Sequence, residues 1–154
     1  MSNIGFTLKG GSAFNRRLKG ITRKLGNSTN NALYSTINKA GEVVRAEAVK
    51  GISKGARTGN TYKRGKGGAT HTASAEGEMP KTDTGNLVNN ITVERAGRYA
   101  IEVGSRIQAP EGYWLETKEG SQGGRPWLAP TFSKNAKRIE AMIAKTVKKV
   151  VEKG

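Results

Sequence analysis

The chain has 154 residues, 34% of them hydrophobic, with 21 glycines and a net charge of +15, so it holds about one domain with a modest core and much loop. It has no cysteine and a single histidine, which excludes disulfides, thiolate chemistry and most histidine-built metal centres. The positive charge points to a polyanionic partner, DNA or RNA first and acidic protein surfaces second.

From the N-terminus, Ile4, Phe6 and Leu8 alternate with Gly5 and Thr7, the period of a half-buried strand that Gly10-Gly11 ends. Ser12 is placed to cap a helix carrying Phe14, Leu18, Ile21 and Leu25 on one face and Arg16, Arg17, Lys19, Arg23 and Lys24 on the other. Gly26-Asn27 is expected to close it, and Ser28 or Thr29 to open a second helix as far as Ser53. Leu33, Ile37, Ala40, Val44, Ala48 and Ile52 form the apolar stripe of that second helix, widened by Val43 and Val49. Gly41 and Gly51 inside it each cost about 1 kcal/mol relative to alanine, which points to a close contact or fraying there. No acidic residue precedes Glu42, so the N-terminal third is uniformly basic.

The segment from Gly55 to Pro80 has few large apolar residues and six glycines, too little to offset the entropy of ordering itself. It is expected to be a long mobile basic loop; such loops inside compact domains are usually functional or disordered, and a functional one, meeting nucleic acid or a neighbouring subunit, is expected here. Its cations Arg57, Lys63, Arg64 and Lys66 are the candidate contacts to DNA or to a neighbouring subunit. His71 lies in it with no acidic neighbour in sequence and reads as a solvated or interface residue.

Order returns after Pro80. Asp83 or Thr84 can cap a helical turn through Asn89. Ile91–Arg95 and Tyr99–Val103 read as a hairpin around Ala96-Gly97-Arg98, with Ile91 and Val93 on one side and Tyr99, Ile101 and Val103 likewise. Ala109-Pro110-Glu111-Gly112 reads as a turn, Lys118–Gly124 as a second flexible loop, and Arg125–Pro130 as a bridge into the last helix. That helix repeats Phe132, Ala136, Ile139, Ile143, Val147 and Val150 opposite Lys134, Lys137, Arg138, Lys145, Lys148 and Lys149. The sum is a single α+β domain over residues 1–154: two or three amphipathic helices on a small antiparallel sheet, with a glycine-rich basic loop at about 55–80. No run reaches the roughly 18 apolar residues of a membrane span, and no signal-peptide core follows Met1. A soluble protein made in a reducing cytoplasm, without a membrane partner, is expected.

The glycine-rich loop invites a phosphate-cradle reading that spacing refuses. A P-loop has four residues between its glycines and then Gly-Lys-Ser/Thr; here five separate Gly59 from Gly65, and Lys66 precedes Gly67. Metal nuclease chemistry needs clustered carboxylates, whereas Asp83 is the only aspartate and Glu111, Glu116 and Glu119 read as solvated positions around a turn. A serine triad lacks a histidine with a paired acid. Tyr113, Trp114 and Trp127 can stack on bases, but aromatics beside a loop more often pack a small core. The residues therefore point away from an enzyme and imply no cofactor or metal, leaving a basic DNA- or RNA-binding module as one reading.

Three blocks carry a resemblance. They are Ala73–Pro80 running into Asp83-Thr84-Gly85-Asn86-Leu87-Val88-Asn89-Asn90-Ile91, then Tyr113-Trp114-Leu115-Glu116 before a glycine-rich gap, then Arg125-Pro126-Trp127-Leu128-Ala129-Pro130-Thr131-Phe132. Their order resembles the neck or tail-completion proteins of long-tailed double-stranded DNA phages, the minor tail components of the lambda-like type. The resemblance covers Ile4 to the C-terminus and departs from the family at Thr117-Lys118-Glu119-Gly120, where Phe-Gly-Thr is usual. It implies a non-catalytic virion protein at the head–tail junction, a commonly hexameric homo-oligomeric ring between the connector or head-closure proteins and the tail terminator. Double-stranded DNA would then run through its lumen. It also implies structural roles for Asp83, Gly85, Leu87, Tyr113, Leu115, Glu116, Arg125, Pro126 and Trp127.

Overall fold

A computed structural model describes residues 4–9 and 12–152, with side chains described from Asn30 onward. The described part is α+β. Strand β1 (Ile4–Lys9) is followed by helix α1 (Ser12–Ser53), the short strands β2 (Thr61–Lys63) and β3 (Thr70–Thr72), and helix α2 (Asn86–Asn89). Strands β4 (Ile91–Gly97) and β5 (Ala100–Ser105), helix α3 (Glu111–Thr117), a 3-10 turn at Gly120–Gln122 and helix α4 (Leu128–Val151) complete it. The strands form a three-stranded antiparallel sheet in the order β1-β5-β4, and β2 and β3 form a separate two-stranded hairpin.

Helix α1 is the spine. It is one helix of 42 residues, about 63 Å long, where the sequence suggested two separated at Gly26-Asn27. A glycine and an asparagine cost helix propensity but do not oblige a helix to stop. The side chains of the expected apolar stripe and basic face between Phe14 and Leu25 are not among those described, and the Gly10-Gly11 turn lies outside the described residues. From Leu33 onward the stripe is as read: Leu33, Ile37, Ala40, Val44, Ala48 and Ile52 are all buried. Gly41 lets the sheet come close, since a Cβ there would sit 2.7 Å from Val93 Cγ1 and closer still to Ile101 Cδ1. The hairpin β4–β5 supplies Ile91, Tyr99, Ile101 and Val103 to the same core, and Arg45 Nε donates to the Ile91 carbonyl at 2.8 Å.

Helix α4 lies antiparallel against α1. Thr146 near its end meets Thr36, Oγ1 to Oγ1, at 2.8 Å, while its first turns face Lys50 and Gly51 across a groove. It begins at Leu128, earlier than the expected Arg125–Pro130 bridge allowed, because Pro130 falls in the first turn, where a missing N–H is tolerated. The cations of its basic face are exposed, whereas Leu128, Thr131, Asn135 and Ile139 are buried.

Candidate functional site

The segment expected to be a structureless loop contains an ordered arm. Tyr62 and His71 are cross-strand partners, as are Thr61 and Thr72, and the two threonine hydroxyls lie 2.8 Å apart. Below the strands, Gly59 N–H donates to the Ala73 carbonyl at 2.9 Å and Ala73 N–H to the Asn60 carbonyl at 3.1 Å. At the tip Gly65 and Gly67 take φ of 59° and 81°, which L side chains avoid, so the turn requires glycine on both sides of Lys66. Every residue from Asn60 to Thr70 is exposed. The arm thus has local order with almost no buried apolar surface of its own.

Asp83 holds it down. Arg64 of the arm forms an ion pair with the Asp83 carboxylate, and its Nη2 donates to the Asp83 carbonyl at 2.6 Å. His71 Nδ1 lies 3.1 Å from Asp83 Oδ1, and Tyr62 Oη donates to Oδ2 at 3.2 Å. The Tyr62 and His71 rings pack with centroids 5.3 Å apart. Strand alternation places Tyr62 and His71 on the face toward Asp83 and Lys63 on the other. His71 therefore has an acidic neighbour after all, supplied from twelve residues downstream by tertiary structure. Burial, then the nearby charges of Arg64, Arg57 and Lys81, hold its imidazole below the usual range. Held low in this way it is neutral at pH 7, and it stands beside a carboxylate whose Oδ1 has no hydrogen-bond partner. Arg64 is committed to this ion pair rather than open to a partner, whereas Arg57, Lys63 and Lys66 are exposed and form no ion pair among the described residues.

Between arm and body lies a cavity of about 330 Å³, whose walls include His71, Ser74, Asp83, Glu111 and Arg125. Asp83, His71 and Ser74 together invite comparison with a hydrolytic triad. Ser74 is fully buried and its hydroxyl has no hydrogen-bond partner, so it is not in hydrogen-bond reach of the imidazole that would have to activate it. Among the described residues no cluster of three or more acidic or histidine side chains could hold a metal ion. No described helix is long and apolar enough to cross a membrane.

The α3–α4 junction behind the cavity is knit differently. The Glu116 carboxylate accepts N–H bonds from Trp127 at 2.7 Å, Leu128 at 2.8 Å and Ala129 at 2.9 Å, capping α4. Its expected solvated role is thus corrected: it satisfies three donors that a helix start leaves without partners. Glu111, also expected to be solvated, accepts from Asn86 Nδ2 at 2.8 Å, and the expected turn around it is the opening of α3. Trp127 is 2% exposed and donates Nε1–H to the Gly112 carbonyl at 2.8 Å. Arg125 Nε donates to the Ser74 carbonyl at 3.0 Å, joining the junction to the base of the arm. Leu115 and half-buried Pro126 complete the junction. Leu87 is buried, and Gly85 precedes α2 at φ 82°. Asp83 does not cap that turn; Thr84 Oγ1 accepts the Asn86 N–H at 3.2 Å.

Of the three aromatics expected to pack a small core, Trp127 does so, but Trp114 is 55% and Tyr113 39% exposed. They stack edge to face on the outside of α3, and Lys118 Nζ sits 5.7 Å from the centroid of the Trp114 ring. A seven-residue helix has one buried side, and Gly112 and Leu115 occupy it. Comparison with protein-family models, curated proteins and solved structures returned no match for this chain.

Proposed function

We propose that this chain is a structural virion protein of the neck or tail-completion type, assembling as a homo-oligomeric ring, six-membered in the family it resembles, at a phage head–tail junction. In this reading it joins the connector or head-closure proteins to the tail terminator and surrounds the DNA channel. The observation that carries the reading is the arm. A two-stranded hairpin is marginal in water by itself, yet this one, exposed from Asn60 to Thr70, is held against the body by the Asp83 carboxylate and presents Lys63 and Lys66 outward. Such an element has much to gain from a neighbouring subunit, and head-to-tail contacts of this kind close into rings. The exposed Tyr113–Trp114 pair supports the same reading, since interface cores are enriched in Tyr and Trp.

Two experiments test it. Sedimentation of the purified chain over a range of concentrations is expected to show a closed oligomer. Electron microscopy of particles produced without the protein is expected to show unjoined heads and tails or defective tail ends. Normal particles in its absence would overturn the proposal. A chain that stays monomeric at high concentration while binding nucleic acid would support the alternative, a free-standing basic DNA- or RNA-binding module.

A further inference from the structure

Helix α4 carries an unusually one-sided charge. At about 100° per residue, Lys134, Lys137, Arg138, Lys145, Lys148 and Lys149 all fall within a sector of about 120°, opposite the buried Ile139. Within that sector the one other residue between Lys134 and Lys149 is Ala141. All six cations are exposed, and among the described residues only Lys148 has an ion-pair partner, Glu152 at 3.8 Å. Cations at such spacing repel, so the stripe works against its own helix. It continues onto α1: Lys50, Lys54 and Lys134 line a groove of about 280 Å³ between the helices, over buried Thr131 and Asn135. Glu47 also lines the groove but forms no ion pair there.

We infer that the α4 stripe, with Lys50 and Lys54, is a contact surface for the backbone of duplex DNA, and that the hairpin arm is not. This rests on the ring reading above and deepens it by assigning one surface to DNA and another to the neighbouring subunit. From Lys134 to Lys149 the stripe runs about 22 Å, the length of about six base pairs along the duplex axis. A straight row of flexible ammonium groups suits that repeating charge. The stripe holds no aromatic to stack on unpaired bases, as single-strand binding requires. Its cations act on the phosphates through counterion release. In the arm, by contrast, Arg64 is already neutralised by Asp83, which leaves exposed Lys63 and Lys66 as two cations at a turn rather than a row along a helix.

The test is binding of the full chain to a fluorescent duplex of about two helical turns, by anisotropy, between about 50 and 200 mM salt. The triple variant Lys134→Gln, Lys145→Gln, Lys149→Gln is expected to flatten the log–log salt slope by about 3, at about 0.9 for each phosphate left unneutralised. Lys50→Gln with Lys54→Gln is expected to flatten it by about 2 on the same scale. Lys63→Gln with Lys66→Gln is expected to leave the slope unchanged. Circular dichroism melts check that each variant is folded. Unchanged slopes in folded α4 variants, loss of binding in the arm variant, or equal competition by polyglutamate or by single-stranded nucleic acid would each overturn the assignment. Sedimentation of the same samples separates the two proposals. A folded chain that binds duplex through α4 but forms no ring sinks the ring reading alone, and a ring whose duplex binding ignores the α4 variants sinks this one alone.

Discussion

Two acidic residues organise two regions in opposite ways. Glu116 sits half-buried in the α3–α4 junction and accepts three backbone N–H groups that nothing else nearby satisfies. Asp83 gathers side chains of an arm, exposed Arg64 and Tyr62 and the largely covered His71. The first region is closed, with Trp127 filling it and Arg125 tying it down. The second is open, and most of what it could contact belongs to solvent. A carboxylate that completes a helix start builds the body; one that collects exposed side chains holds a movable part. The difference is one of burial rather than of chemistry, and it sets how strongly each region resists change.

The largest effect is expected from Trp127→Ala, which empties the junction and removes a buried hydrogen bond. A loss of about 3–5 kcal/mol in urea unfolding is expected. A value under about 1 kcal/mol would mean the junction is not the closed region described. Glu116→Ala comes next, at about 2 kcal/mol, because it removes the acceptor of three N–H groups at the start of α4. Glu116→Gln, which keeps one acceptor oxygen and no charge, is expected to fall between. Asp83→Asn is expected to lower global stability by less than about 1 kcal/mol, since Arg64 is 42% exposed and the ion pair is screened. Amide exchange should nonetheless speed up selectively in residues 60–72. A global unfolding effect as large as that of Glu116→Ala would erase the distinction between the regions.

The smallest effect is pH-dependent. The His71 pKa is depressed in the folded arm, below its ordinary value of 6.5, by burial and then by Arg64, Arg57 and Lys81. The unfolded arm therefore takes up a proton first as pH falls. The stability that neutral His71 contributes is complete above pH 6.5 and is lost as pH drops from 6.5 through the lowered folded value. Protection factors in residues 60–72, corrected for the intrinsic pH dependence of amide exchange, should fall as pH drops over that window, and His71→Gln should remove the dependence. Protection that rises as pH drops through the window would contradict the assignment.

The parts of this fold that follow from periodicity were legible in the sequence. The stripe from Leu33 to Ile52, the β4–β5 hairpin and the two-faced last helix need only local spacing to be seen, and each is present, though the hairpin turns at Arg98-Tyr99 after an irregularity between Arg95 and Gly97 rather than around Ala96-Gly97-Arg98. What stayed hidden depends on residues distant in sequence. Nothing near His71 announces Asp83, and nothing in Tyr113–Glu116 says that its glutamate caps a helix beginning at Leu128 while its Trp114 faces out. The arm was missed for a related reason. Its composition is that of a loop, and its two positive-φ glycines and Tyr62–His71 pairing become a hairpin only once Asp83 is in place to receive them. One signal was available: Thr61-Tyr62-Lys63 and Thr70-His71-Thr72 each alternate around β-favouring residues, separated by a glycine-rich turn.

The claim that the open region is an assembly element is tested most directly by sedimentation velocity on the intact chain beside a variant in which residues 61–72 are replaced by a short Gly-Ser linker. A closed oligomer is expected for the intact chain and a folded monomer, with an unchanged helical signal, for the variant. An arm-less chain that assembles as the intact one does, or an intact chain that remains monomeric at every concentration, would contradict it.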